Sequence, residues 1–209
     1  MKKIISGLAA LLMLAACNAS NGKSMENDST SAPNTEGTFQ TIDVDKEWNN
    51  NPFTWFKGNG LLLAVGDKEK SNAMTIGWGA LGNLWSDIGL NTVTVYVAEG
   101  RYTYEFMEKN KYFTVMAFEK DGERILKYMG THTGREEDKA AALGLHTLYT
   151  DNGTPYYEEA SLVLECEIIY KAPFEKEGMC EKARNFYENF SAGVHHMYIG
   201  NIVNAWKKE

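Results

Sequence analysis

Asn72-Ala-Met-Thr-Ile-Gly-Trp78 is the segment on which the fold prediction rests. It follows a compact apolar run, Gly60-Leu-Leu-Leu-Ala-Val-Gly66, and a polar turn over residues 67–71. An apolar run of this length between glycines is typical of a buried strand. The two segments are therefore predicted to form a β-hairpin. Met74 and Thr75 would lie on opposite faces of its second strand, because side chains alternate along a strand.

Further strands and short helices are predicted after this hairpin. In residues 90–98, Val93, Val95 and Val97 alternate with polar or aromatic residues, which indicates a strand. The other predictions are strands at 112–118, 145–149, 161–170 and 194–205, helices at 123–129 and 180–190, helix starts at Thr103 and Glu136, and a glycine-rich loop at 77–85. At least six strands with helices between them indicate a mainly β domain with helical insertions, arranged as an antiparallel barrel.

The N-terminus has the pattern of a bacterial lipoprotein precursor. Lys2 and Lys3 precede a short apolar run, Ile4 to Leu14, which is too short to span a bilayer as a mature helix. Small residues then lead into Cys17, whose thiol is the point of lipid attachment in such precursors. We therefore predict a lipoprotein signal peptide over residues 1–16 and lipidation of Cys17. The alternative is an ordinary signal peptide with an incidental cysteine.

The segment after Cys17 is polar and contains almost no large apolar side chain. Such a segment cannot bury enough surface to offset the entropy of ordering. Residues 17–40 are therefore predicted to be a lipidated flexible tether, and residues 41–209 a single folded domain. The expected location is the bacterial cell envelope, outside the cytoplasm in the periplasm or at the outer membrane, with the lipid anchor as the only contact with the membrane.

The charge of the chain excludes some partners. Its formal net charge is -7 at pH 7, and its pI is near 5.2. A nucleic-acid surface would need a basic stripe, so we expect no nucleic-acid partner. The aromatic content of 12% fits a β-rich core or a stacking site.

Apart from Cys17, the chain has two cysteines, Cys166 and Cys180. The strand pattern places Cys166 on the apolar face with Leu162 and Leu164, which favours a buried free thiol. A disulfide between the two is the alternative in an exported protein. Neither cysteine has a neighbour at metal-ligand spacing, so no metal site is predicted.

Four motifs occur in a consistent order along the predicted domain. They are Asn72–Trp78, Arg101-Tyr-Thr-Tyr-Glu105, Thr133-Gly-Arg-Glu-Glu-Asp-Lys139 and His196-Met-Tyr-Ile-Gly200. Together they resemble the flavin reductase-like family, the FMN-binding split β-barrels that include flavoredoxin. The resemblance extends over roughly residues 53–203 and implies a split barrel with bound FMN.

The resemblance also implies which residues bind the cofactor. The flat ring would lie against the strand, where small residues allow close approach. The phosphate would be held by Arg101 with Thr103 at a helix start, and by Lys139 or Arg135. The complete set is Asn72, Met74, Thr75, Ile76, Gly77, Trp78, Arg101, Thr103, Arg135 and Lys139. No catalytic acid or base is predicted, because the electron chemistry belongs to the cofactor.

Several of these residues have a simpler interpretation. Thr103 is sufficient as a helix cap without any ligand. Arg101 would be an ordinary surface arginine if it paired with Glu99 or Glu105. Independently of this, Arg135 and Lys139 would lie on a solvated charged helix if they bound no ligand. Trp78 would be a packing residue.

Two functional hypotheses follow. The resemblance implies either a flavin reductase that uses NAD(P)H or an electron carrier with bound FMN, in a homodimer. A location outside the cytoplasm favours the electron carrier, because soluble NAD(P)H is cytoplasmic. A membrane or periplasmic electron donor would then reduce the flavin. The alternative is a non-catalytic split-barrel lipoprotein that binds haem, another flavin or a protein partner.

Overall fold

A computed structural model describes residues 39–57, 60–85 and 87–209. The predicted signal peptide, Cys17 and all but the last two residues of the predicted tether lie outside these ranges. Within the described part of the chain, no helix is both long enough and apolar enough to span a bilayer.

Ten strands and six helices form the described domain. The strands are β1 (Phe39–Thr41), β2 (Leu61–Gly66), β3 (Ser71–Ile76), β4 (Gly79–Leu84), β5 (Leu90–Ala98), β6 (Tyr112–Ala117), β7 (Thr147–Tyr149), β8 (Pro155–Tyr157), β9 (Leu162–Pro173) and β10 (His195–Lys208). The helices are α1 (Val44–Glu47), α2 (Pro52–Trp55), α3 (Tyr102–Met107), α4 (Gly122–Thr131), α5 (Lys139–Leu143) and α6 (Glu181–Glu188), with a 3-10 turn at Lys176–Gly178.

The main sheet has the strand order β3-β2-β6-β9-β10-β5-β4, and β1 pairs with β10 beside this path. Every pairing in it is antiparallel. Strands β3 and β4 lie at the two free edges, and the sheet does not close between them. Strands β7 and β8 form a separate hairpin. The predicted fold class, mainly β with helical insertions, is confirmed.

Strand β2 is buried on both faces, which explains its continuous apolar sequence. Leu61, Leu63 and Val65 pack in the larger core with side chains of β5, β6, β9 and α3. Leu62 and Ala64 pack on the opposite face under α4 and the β7–β8 hairpin. The hairpin predicted from this run is confirmed as β2 and β3.

The predicted loop at 77–85 was wrong for residues 79–84, which form edge strand β4. The glycines there mark a close approach and not only flexibility. A Cβ on Gly79 would lie 2.1 Å from the ring of Phe56, so only glycine lets this aromatic ring pack against the strand.

Both predicted helix starts were misplaced. Arg101, not Thr103, occupies the N-cap position of α3, without a capping hydrogen bond from its side chain, and Thr103 lies inside the first turn. Asp138, not Glu136, caps α5, since its carboxylate accepts from the backbone N–H groups of Ala140 and Ala141. At the N-terminus, β1 begins at Phe39, two residues before the predicted domain boundary, because it pairs with the C-terminal strand.

Cys166 and Cys180 are both free thiols. Cys166 is completely buried in the larger core, and Cys180 is exposed at the start of α6. The prediction of a buried free thiol at Cys166 is confirmed.

Candidate cofactor site

A cavity of about 300 Å³ lies between edge strand β3, the start of α3 and the end of α4. It is closed on its remaining side by the loop over residues 132–135. Seven of the ten residues predicted to bind a cofactor line it: Asn72, Met74, Thr75, Arg101, Thr103, Arg135 and Lys139. The fold therefore brings together three segments that are far apart in the sequence.

Ile76, Gly77 and Trp78, the other three predicted residues, do not line this cavity. Ile76 is buried in the larger core. Gly77 and Trp78 follow the end of β3, and Trp78 remains 43% exposed. The Trp78 ring rests against the imidazole of His195, with 4.5 Å between the ring centroids.

A buried hydrogen bond fixes two walls of the cavity. The Asn72 amide nitrogen Nδ2 donates to the Thr103 hydroxyl at 2.8 Å, which joins β3 to α3. Gly134 comes so close to this pair that an added Cβ would lie 2.1 Å from Asn72 Oδ1. The simpler interpretation of Thr103 as a helix cap was therefore wrong, because its hydroxyl accepts from Asn72 and supports the cavity wall. Its contact with a cofactor stays a prediction.

Thr75 is similarly occupied. Its hydroxyl donates to the carbonyl of Leu126 on α4, so it holds the helix to the strand. Gly130 lies beside it, where a Cβ would approach the Thr75 Cβ to 3.2 Å. Gly130 was not among the predicted site residues, because it directly follows the predicted helix at 123–129, where a glycine is typical of a helix end.

Lys139 lies at the base of the site with 5% of its surface exposed. Its ammonium donates to the carbonyls of Ala73 at 2.6 Å, Met129 at 3.0 Å and His132 at 3.2 Å. Burial lowers the pKa of Lys139 to about 8, so the group is still protonated at neutral pH. All three ammonium protons are used, and Lys139 thereby links β3, α4 and the 132–135 loop.

Arg135 is engaged by α3. Its guanidinium forms an ion pair of 2.5 Å with Glu105 and lies over the ring of Tyr102, 4.6 Å from the centroid. Both charged side chains are nearly half exposed. The two contacts hold the 132–135 loop against α3 and neutralise much of the Arg135 charge.

Arg101 differs from the other two cations. Within the described residues, its guanidinium has no hydrogen bond and no ion pair. Glu99 is bound to His196 at 3.0 Å, and Glu105 is bound to Arg135. The simpler interpretation of Arg101 as the partner of either glutamate was therefore wrong. The cavity contains an exposed, uncompensated positive charge.

Aromatic and histidine side chains complete the lining. Tyr102 and His132 were not predicted as cofactor ligands, although both line the cavity. The His132 ring stacks on Tyr128 at 3.7 Å between centroids. Tyr102 lies directly after Arg101, so the motif Arg-Tyr-Thr carried the signal for it.

Solved structures with the same fold include several flavin proteins. Flavoredoxin from Methanosarcina acetivorans is 23% identical, with a TM-score of 0.54 over 71% of this chain and 68% of that chain. An FMN-binding protein from Thermus thermophilus is 21% identical, with a TM-score of 0.53 over 71% of each chain. An FMN-binding domain of a flavin reductases-like enzyme from Shewanella baltica is 14% identical, with a TM-score of 0.56 over 81% and 76%. The predicted split-barrel fold is confirmed.

Two sequence families match the chain, while no curated protein does. Residues 1–18 match the prokaryotic membrane lipoprotein lipid attachment site, which includes Cys17. Residues 56–209 match the flavin reductase like domain, which is well over half of the chain and contains the whole cavity. The chain therefore belongs to the flavin reductase-like family and carries a lipoprotein attachment sequence at its N-terminus.

Proposed function

We propose that the cavity binds FMN and that Arg101 holds its phosphate. The observation that carries the proposal is the unpaired guanidinium of Arg101 in a cavity lined by three separate family motifs. A phosphate monoester carries about two negative charges at neutral pH and is bound most strongly by arginine. Arg135 and Lys139 are already engaged by protein groups, so Arg101 has the free charge that this ligand requires.

The rest of the cavity suits a flat ring. Strand β3 pairs with β2 on one side only, so the backbone N–H and C=O groups along its other edge have no strand partner among the described residues, although the carbonyl of Ala73 accepts from Lys139. Gly130 and Gly134 keep the opposite wall close without side chains. Met74 supplies an apolar surface beside them. A ring with hydrogen-bonding groups along one edge would satisfy both the strand edge and the apolar wall.

Bound FMN would supply two-electron redox chemistry, and the residues of this chain would bind and orient it. We further propose that the protein is an electron carrier in the cell envelope, attached through lipidated Cys17. The lipid attachment sequence supports this location. A membrane or periplasmic donor would then replace NAD(P)H. A homodimer, as the family implies, is part of the same proposal.

We expect substitution of Arg101 by alanine to weaken FMN binding about 10- to 100-fold, since a charge-assisted contact contributes about 1.5–3 kcal/mol. Binding of riboflavin, which lacks the phosphate, should hardly change. Quenching of flavin fluorescence during titration of the purified domain measures both affinities.

Arg124→Ala is the matched control, since Arg124 is an exposed arginine on α4 outside this cavity. It should leave both affinities unchanged. Equal loss of FMN and riboflavin binding in Arg101→Ala would contradict the phosphate contact. Failure of the unmodified domain to bind FMN would contradict the proposed function itself.

The carrier proposal makes a separate kinetic prediction. Purified FMN-loaded protein should oxidise NADPH well below about 1 s⁻¹, the lower end of ordinary enzyme turnover. Loss of NADPH absorbance measures this rate directly. Turnover at ordinary enzyme rates would instead support a flavin reductase.

A further inference from the structure

A second cavity, of about 660 Å³, opens beside α6 and is lined in part by Trp78. It is mainly apolar, and its principal lining residues are Trp78, Phe174, Met179, Ala183, Phe186 and Tyr187. The rings of Trp78 and Phe186 remain 43% and 42% exposed. Large apolar side chains seldom stay exposed around a concave surface unless a ligand or partner covers them.

A neutral polar pair lies behind this apolar surface. The Tyr187 hydroxyl and His195 Nδ1 share a hydrogen bond of 3.0 Å. Burial and, to a smaller extent, the charge of Arg101 lower the pKa of His195 to about 4, while burial raises the pKa of Tyr187. Both groups are therefore uncharged at neutral pH. Glu175 and Lys182 also line the cavity, and their opposite charges leave no net charge to attract an anion or a nucleotide. The apolar surface therefore favours an uncharged, flat ligand.

The two cavities are neighbours. Met74 lines the first and Trp78 lines the second, and four residues of extended chain span at most about 14 Å. Arg101 lines the first cavity and acts electrostatically on His195, which lies against Trp78. A ring bound against Trp78 would therefore lie within a short distance of a flavin in the first cavity.

The N-terminal sequence limits how far this surface can be from a membrane. The lipid attachment sequence ends at residue 18, and β1 begins at Phe39. The intervening residues can reach at most about 75 Å even when fully extended. With Cys17 lipidated as proposed, the domain would stay within reach of the lipid phase, where apolar ring compounds are concentrated.

We propose that the cavity beside α6 binds the ring of a quinone, the electron partner of the flavin site. This inference rests on the proposed function, since it identifies the class of that partner. Conversion of a quinone to a quinol takes up two electrons and two protons. A fully reduced flavin releases the same number of each on returning to the oxidised form, so no further reactant is needed. The reverse direction has the same balance.

Ala183→Phe tests the site, because Ala183 is a half-buried lining residue of α6 and a phenyl ring there would fill the cavity. Asn185→Phe is the matched control: it adds the same group to the same helix at an exposed position outside the cavity. Equilibrium dialysis of the FMN-free domain against a tailless naphthoquinone should show binding that Ala183→Phe weakens at least about tenfold and Asn185→Phe does not.

A second measurement separates this inference from the flavin proposal. FMN affinity should be the same in both variants and the unmodified domain. FMN-loaded protein, reduced chemically without oxygen, should reduce the quinone, and Ala183→Phe should raise the half-saturating quinone concentration about tenfold. If the unmodified domain binds the quinone but fails to bind FMN, only the proposed function would be overturned.

Two outcomes would overturn the quinone site. One is quinone binding of equal strength in Ala183→Phe and the unmodified domain. The other is absence of quinone binding to the unmodified domain. If, in addition, only Ala183→Phe dissociates a homodimer in analytical ultracentrifugation, the apolar surface belongs to the contact with a second copy of the chain.

Discussion

Replacing Lys139 with methionine should lower the free energy of unfolding by about 2–4 kcal/mol. It should also weaken the binding of FMN and the binding of riboflavin by the same factor. Methionine keeps the apolar stem of the side chain but removes the ammonium. The carbonyls of Ala73, Met129 and His132 then lose their shared donor. Each buried acceptor without a partner costs about 1 kcal/mol or more. Part of this destabilisation is offset, because the folded variant no longer has to bury a charged ammonium group.

The effect on flavin binding distinguishes two roles for Lys139. If Lys139 contacts the phosphate, its loss weakens the binding of FMN but not the binding of riboflavin. If Lys139 positions the cavity wall by joining β3 to α4, the affinity for both ligands falls by the same factor, about tenfold. The three carbonyl contacts support the positioning role. Arg101→Ala, by contrast, should change the ratio of the two affinities.

Urea unfolding without flavin and flavin titration of the folded variant measure the two parts of this prediction. Lys127→Met is the matched control, because Lys127 is an exposed lysine of α4 whose side chain has no hydrogen bond or ion pair within the described residues. It should change the free energy of unfolding by less than about 0.5 kcal/mol. A Lys139→Met protein that is as stable as the unmodified domain would show that the three contacts are not needed.

Much of the fold could be predicted because the strands carry strong local patterns. The apolar run of β2 and the valine alternation of β5 were read correctly from short windows. The start of α3 was harder to predict from the sequence, because Thr103 is a preferred capping residue and Arg101 is not. The Thr103 hydroxyl instead meets Asn72, which lies 31 residues away. A contact at that separation has no signature in a local pattern.

The site shows the same division. The family motifs supplied most of the lining of the first cavity, but not what each side chain does there. Lys139 was selected as a cation for a phosphate, whereas its position is set by a carbonyl 66 residues away. Arg101 and Arg135 look equivalent in the sequence, and only the placement of Glu105 separates the paired one from the free one. The second cavity depends on aromatic residues from distant segments.

Glu165 has a role that the local strand pattern does not predict. Along β9 it alternates with Leu164 and Cys166, so it lies on the face opposite to theirs. The structure buries it completely, because the β7–β8 hairpin and its turn cover that face. The carboxylate accepts hydrogen bonds from Thr150, Asn152, Thr154 and Asn204. It joins the hairpin turn to β9 and β10.

We expect Glu165→Leu to lower the free energy of unfolding by about 3–5 kcal/mol, the largest effect of any substitution considered. Leucine has a similar volume and fits an apolar site, but it leaves four donors without their acceptor, and two of them, the hydroxyls of Thr150 and Thr154, are buried. Glu165→Gln keeps one acceptor oxygen, so roughly half of this loss is expected. Urea unfolding followed by circular dichroism should show the midpoint falling by about 1–3 M for leucine.

Glu167 provides the control on the same strand and the same face. Its carboxylate is partly exposed and forms an ion pair of 2.8 Å with Lys111. Such a pair contributes about 0–1 kcal/mol, so Glu167→Leu should have little effect. If Glu165→Leu were equally harmless, the cost of burying the carboxylate would cancel its four hydrogen bonds. The hairpin would then be held by the packing of Tyr156 and Tyr157 in the smaller core, and not by the polar network.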